Sequence, residues 1–176
     1  MDQPVISSDG HLVIAVGDEW DHVQYLIQDL STGRGPYVGG DCPPDLVSIT
    51  PLQAAAALMA ARAHMGQTRE NSGAAYIIHP VRVARRIAKH YPTAHTAIAA
   101  AFLHDTLEDT TLTREELDQL NPEVAAVVAE VTDDQSTSKR AQKRHQISSA
   151  GGKSLPARMV KISDKIDNCT DFAAEL

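Results

Sequence analysis

Apolar and polar positions follow two different periods along this chain, and the change falls near Thr50. Before it, HLVIAV (11–16) and HVQYLIQDL (22–30) are rich in β-branched and aromatic residues and are separated by GDEWD. The next segment, STGRG, reads as a turn, and PYV (36–38) as a short third strand. Gly39-Gly40-Asp41-Cys42-Pro43-Pro44 reads as a linker. The pattern predicts a small antiparallel β-hairpin or meander over residues 1–48, as an appendage to the rest of the chain.

From Thr50 onward the apolar positions recur at helical spacing. Thr50-Pro51-Leu52-Gln53 carries a capping threonine, proline at the first helical position and glutamine at the third. This predicts a helix to about Met65, stopped by Gly66. QTRENSGAA (67–75) is a polar loop. A second helix starts near His79-Pro80, turns Val81, Val83, Ala84, Ile87 and Ala88 inward, and ends at Tyr91-Pro92. A third spans about 94–107. Thr113-Arg114-Glu115-Glu116 is another capping box, and Pro122 opens a helix through Val131. A polar, basic helix over 137–149 and a last one from Leu155 complete a mainly α domain over residues 49–176 with short loops.

Composition supports this division. The chain has 176 residues, 43% of them apolar, enough for one domain with a real core. Only 4% are aromatic, so the helices must pack closely on small residues such as alanine. No apolar run reaches the roughly 18 residues that span a bilayer, and MDQPVISSDG lacks the build of a signal peptide. Cys42 and Cys169 match no metal spacing, so a reducing cytoplasm is the expected compartment.

The net charge of −7 argues against general nucleic-acid binding. The charge is uneven, however. Residues 1–50 hold eight acids and one base, whereas residues 136–165 hold eight bases and one acid, Asp164. Such a basic run is either a solvated helix face or a landing site for a small, highly anionic ligand.

The chemistry concentrates in AAAFLHDTLEDTT (99–111). On a continuous helix His104 and Glu108 would share a face, and three carboxylates would crowd the negative end of the helix dipole, an unfavourable placement. A bound divalent cation would reverse that penalty, since imidazole beside carboxylate is a common first-row metal chelate. The alternative is that Asp109 and the threonines only cap the next helix. His79 in YIIHPVRVA and Asp164 in MVKISDKIDN extend the candidate set to three helices.

HDTLED, with YIIHP upstream and KISDKIDN downstream, resembles the HD superfamily of metal-dependent phosphohydrolases. More narrowly, it resembles the (p)ppGpp hydrolase domain of the Rel/Spo proteins and the small alarmone hydrolases. The resemblance covers residues 54–172 and includes ARAHMGQTR and EVTDD. It implies an HD-type helical bundle with metal ligands at His79, His104, Asp105 and Asp164, usually for Mn²⁺. It implies Glu108 and Asp109 as the pair that activates and orients water, and Arg69 and Asn168 as substrate contacts. Lys143 and Arg144 fall in a segment that members use for phosphates.

The implied activity is removal of the 3′-diphosphate from (p)ppGpp, giving GDP or GTP and pyrophosphate. Alternatives are an antitoxin-type hydrolase that opposes a toxic alarmone synthetase, including removal of pyrophosphate from the tRNA 3′ end; another HD nucleotide phosphohydrolase; and a non-catalytic HD protein that binds a partner. A homo-oligomer stays open. Three features depart from the pattern: the sequence stops soon after the last motif, residues 1–48 have no counterpart in the minimal hydrolases, and Glu70 stands where the family often has lysine.

Overall fold

A computed structural model describes residues 5–6, 11–16, 24–29, 37–39, 47–69 and 73–173. Glu70, Cys42 and most of the expected linker and turns before Thr50 lie outside the described residues. Five strands form one antiparallel sheet: β1 (Val5–Ile6), β2 (His11–Val16), β3 (Gln24–Asp29), β4 (Tyr37–Gly39) and β5 (Val47–Ser48). Their order is β4-β3-β2-β1-β5, with Leu12 opposite Gln28 and Ile14 opposite Leu26. Strand β5 pairs with β1 and leads into the first helix. Leu12 is buried and belongs to the same apolar cluster as the helices.

The helices are α1 (Pro51–Ala63), α2 (Ile78–His90), α3 (His95–Leu103), α4 (Thr106–Asp109), α5 (Arg114–Leu120), α6 (Pro122–Val131), α7 (Lys139–Ser149) and α8 (Leu155–Ala173). The expected capping devices are present. The Thr50 hydroxyl accepts from the Gln53 amide while Gln53 Oε1 accepts from the Thr50 amide at 2.7 Å. Thr113 and Glu116 do the same at α5. Each such cap contributes about 1 kcal/mol. Gly66 ends the first helical segment with φ +79°, a left-handed conformation that suits glycine.

Helix α3 is the axis of the bundle. Ala97 through Leu103 are all buried, so beyond its exposed start at His95 no face of this helix meets water. It packs against α1, α2, α6 and α8, and its run of alanines lets four helices approach at once. The chain beyond Leu103 therefore emerges inside the bundle with neighbours on every side.

The third helix departs from the sequence expectation of a single element over 94–107. It breaks at His104-Asp105, and α4 starts afresh at Thr106. The buried Thr106 hydroxyl donates to the Leu103 carbonyl at 2.7 Å, and His104 Nδ1 donates to the Ala101 carbonyl at 2.8 Å. These side chains satisfy carbonyls that a continuing helix would otherwise bond. The break places Asp105 just ahead of α4, whose single turn carries Glu108 and Asp109.

Candidate metal centre

Two imidazoles form the centre of the site. His79 lies in the first turn of α2, and His104 lies in the break after α3. They are 1% and 2% exposed, and their ring centroids are 5.1 Å apart. His104 Nδ1 faces a carbonyl and His79 Nδ1 faces the Asp167 carboxylate at 2.7 Å, so both nitrogens are donors. Burial opposes protonation of His79, but Asp164, Asp167 and Asp105 outweigh it and raise its pKa. A ring that ligates a metal gives up the proton at Nε2 and presents a lone pair there.

Both Nε2 atoms point at carboxylate oxygens. His79 Nε2 is 3.6 Å from Asp105 Oδ2 and 3.5 Å from Asp164 Oδ1; His104 Nε2 is 3.2 Å from Asp105 Oδ1 and 3.9 Å from Asp164 Oδ1. His104 Nε2 is buried without a hydrogen-bond partner. An orphaned acceptor of this kind costs about 1–3 kcal/mol, and facing carboxylates adds repulsion. A cation at that point removes both penalties. One ligand atom each from His79, His104 and Asp105 fall within 4.8 Å of one another, and Asp164 reaches the same two rings from α8. The donor set, two neutral imidazoles with carboxylates, suits a divalent first-row metal. These residues could therefore hold a divalent metal ion.

The surroundings hold the carboxylates in place. The Tyr76 hydroxyl donates to Asp105 Oδ2 at 2.7 Å and lies 3.4 Å from Asp109 Oδ2. Burial and these two carboxylates push the Tyr76 phenol well above its ordinary value, so it remains a donor. Burial opposes ionisation of Asp164, but His79, His104 and Lys165 outweigh it and hold the carboxyl far below the usual range. Lys165 Nζ is 2.9 Å from Asp164 Oδ2.

The remaining candidates divide into two groups. Arg69 Nη2 donates to Asn168 Oδ1 at 2.9 Å, Asn168 donates onward to Asp164 Oδ1, and the Arg69 guanidinium lies over the Tyr76 ring at 5.7 Å. Arg69 and Asn168 thus reach the cluster. Glu108 Oε1 accepts from the Asp133 amide at 2.6 Å, and burial raises its pKa. Lys143 and Arg144 are exposed on α7, and among the described residues no hydrogen bond or ion pair joins either to the cluster; Lys143 meets Gln146 instead. The sequence reading gave no site role to Tyr76, Asp167 or Arg82, and took Lys165 only as an ion-pair partner of Asp164. The signal for Asp167 was available: in SDKID it stands three residues after Asp164, on the same helical face.

An HD-domain family model matches residues 56–173. The chain belongs to the HD domain family. Over 120 residues it is 40% identical to the human guanosine-3′,5′-bis(diphosphate) 3′-pyrophosphohydrolase MESH1, covering 66% of this chain and 67% of that protein. The Drosophila melanogaster protein of the same name is 42% identical over 81 residues, 46% of this chain and 45% of that one. A solved structure described as a metazoan ortholog of SpoT that hydrolyses ppGpp superposes with a TM-score of 0.69 at 32% identity, covering 73% of this chain and 74% of that one. The matched span of the family model contains every candidate from Arg69 to Asn168. No helix among the described residues is long and apolar enough to cross a membrane.

Proposed function

We propose that this HD-domain protein is a metal-dependent pyrophosphohydrolase that removes the 3′-diphosphate from ppGpp or pppGpp, giving GDP or GTP and pyrophosphate. The observation that carries the reading is the pair of buried imidazoles whose bare Nε2 atoms face Asp105 and Asp164, in a chain 40% identical to a named ppGpp pyrophosphohydrolase.

His79, His104, Asp105 and Asp164 would hold the ion, which we take to be Mn²⁺. A divalent ion there supplies Lewis-acid chemistry, making water more acidic and offsetting phosphoryl charge. Glu108 takes the proton of the attacking water, and burial, by raising its pKa, makes it a stronger base. Asp109, beside Tyr76, orients that water. Arg69 offers a planar cation to the guanine or its phosphates, and Asn168 a hydrogen bond. Lys165 lies against Asp164 and supplies a further positive charge for the diphosphate. Lys143 and Arg144 are assigned to the approach of the anionic substrate along the basic 136–165 segment.

The experiment is release of product from ppGpp and from 3′-pyrophosphorylated tRNA, side by side, with and without Mn²⁺. Pyrophosphate from ppGpp that requires the metal supports the reading. Preference for the tRNA would favour the antitoxin-type activity, and release of orthophosphate would overturn both.

We further propose that residues 1–48 are an appendage and residues 49–176 the hydrolase domain. A shortened chain starting at Asp45 should retain its helical circular dichroism. Leu12 sets the expected loss, about 1.5–3 kcal/mol for removing one fully buried leucine from the core. Global unfolding of the shortened chain would show that the strands are part of one domain.

A further inference from the structure

The imidazole of His79 is held from both ends by a single helix. On α8, Asp164 and Asp167 are three residues apart and share a face. Asp164 Oδ1 lies 3.5 Å from Nε2, and Asp167 Oδ2 lies 2.7 Å from Nδ1. Asp167 is 2% exposed. Its other oxygen is 2.9 Å from Arg82 Nε, one turn further along α2 from His79.

The two candidate ligand histidines meet the same requirement differently. A histidine that offers Nε2 to a metal must carry its proton on Nδ1, and the acceptor facing Nδ1 selects that tautomer. His104 uses the carbonyl three residues back, Ala101 O. The corresponding carbonyl of His79 is Tyr76 O, which already accepts the His79 amide at 3.0 Å. The acceptor for His79 comes from another helix, and it is a carboxylate. A carboxylate fixes the tautomer as a carbonyl does, and it also makes the ring a stronger donor toward a cation.

We propose that Asp167 is a positioning residue for the metal centre: braced by Arg82, it accepts the Nδ1 proton of His79 and so aims the Nε2 lone pair at the point shared with His104, Asp105 and Asp164. The proposal rests on the metal site inferred above. It adds a residue that touches neither the ion nor the substrate and acts through His79 alone.

Three forms of the full chain test it: wild type, Asp167→Ala and Asp167→Asn. Nitrogen-15 spectra of the histidine side chains in the metal-free proteins report the His79 tautomer. Mn²⁺ titration followed by electron paramagnetic resonance reports affinity. Wild type should show His79 protonated at Nδ1. Asp167→Ala should lose that preference and bind Mn²⁺ 10–100-fold more weakly. Asp167→Asn keeps an oxygen that accepts from Nδ1, so it should retain the tautomer and lose less than tenfold. A purely structural Arg82–Asp167 clamp would lower the melting temperature of both variants while leaving the tautomer and the affinity of the folded protein unchanged. That result would overturn the proposal, as would a wild-type His79 protonated at Nε2, which needs no variant to detect. Failure of wild type to bind Mn²⁺ would instead sink the metal reading itself, and the tautomer measurement would still decide the role of Asp167.

Discussion

Replacing Glu108 by glutamine separates chemistry from stability. In the folded protein Glu108 Oε1 accepts the Asp133 amide at 2.6 Å. Glutamine retains an oxygen at that position, so the link from α4 to the segment after α6 survives. What disappears is the charge. A hydrogen bond to a charged group is worth about 1 kcal/mol more than one to a neutral group. Against that loss, the charge is half-buried, and Asp133 and Asp105 lie nearby with the same sign, both of which disfavour it. The two effects oppose each other, leaving a net change of about 1 kcal/mol or less, which moves the melting temperature of a chain this size by about 2–4 °C at most. Loss of a general base should lower turnover by roughly 10²–10⁴, or about 2.7–5.4 kcal/mol of barrier. The catalytic effect therefore exceeds the stability effect by several-fold, and unfolding cannot imitate it. The assay is Mn²⁺-supplemented pyrophosphate release from ppGpp, with thermal melts and metal titration of the same preparations. Because burial raises the Glu108 pKa, the wild-type rate should fall on the acid side through a pKa above the ordinary glutamate range, and that limb should be absent in Glu108→Gln. A variant that turns over within threefold of wild type would refute the assignment of Glu108 as base.

Arg69→Ala should raise KM for ppGpp by about tenfold or more, a loss of roughly 1.4 kcal/mol, with a smaller change in kcat; a fall confined to kcat would contradict a binding role. Thr106→Val keeps the shape of a buried residue but leaves the Leu103 carbonyl without its donor, which should cost about 1–3 kcal/mol in denaturant melts; an unchanged midpoint would mean that the break after α3 does not depend on that hydroxyl. Partial burial works against ionisation of Glu130, but the Ser154 hydroxyl and amide, both at 2.6 Å, and Lys153 outweigh it and hold the pKa below its ordinary value. A lowered folded-state pKa gives stability that is present above the unfolded value and lost as pH falls through the folded one. Glu130→Gln should therefore lower the melting temperature by about 1–4 °C at pH 7 and by less at pH 3, the pair being partly exposed and solvent-screened; an equal loss at both pH values would remove the charge from the explanation.

The helical part of the fold was legible because its signals are local. Thr50 with Gln53, Thr113 with Glu116, and prolines 51 and 122 announce helix starts through contacts three residues apart, and each lies where it was expected. The break at His104-Asp105 was not legible, because every residue of TAIAAAFLHDTLED except Asp and Thr suits a helix. The break depends on two side chains taking carbonyls in a packed interior, and that competition is settled by tertiary contacts rather than by propensity. The candidate metal centre was legible as a set of residue types from three segments, whereas the residues around it were not. Tyr76 and Asp167 matter only through the partner each faces, Asp105 and His79. From sequence Asp164 reads as exposed and paired with Lys161 or Lys165; the structure buries it, and Lys165 helps the imidazoles lower that carboxyl against the effect of burial.

A net charge of −7 and a substrate with several phosphates look incompatible until the charges are located. The acids at the candidate centre are committed: Asp105 to Tyr76, Asp164 to Lys165 and Asn168, and Asp167 to His79 and Arg82. Each faces a donor rather than open solvent, so its field is partly cancelled where a diphosphate would arrive. A divalent ion at the meeting point of the imidazoles would cancel two further charges. Beyond the cluster, Lys153, Arg158, Lys161 and Lys165 line a cleft of about 610 Å³ between α7 and α8, and among the described residues no acid lies in its wall. Physiological salt screens exposed charges beyond about 8 Å, so that local wall, and not the total of −7, governs the encounter. Raising ionic strength should therefore slow association of a polyanionic substrate, as it does between opposite charges. Acceleration by salt would mean that the acids elsewhere on the chain dominate the field.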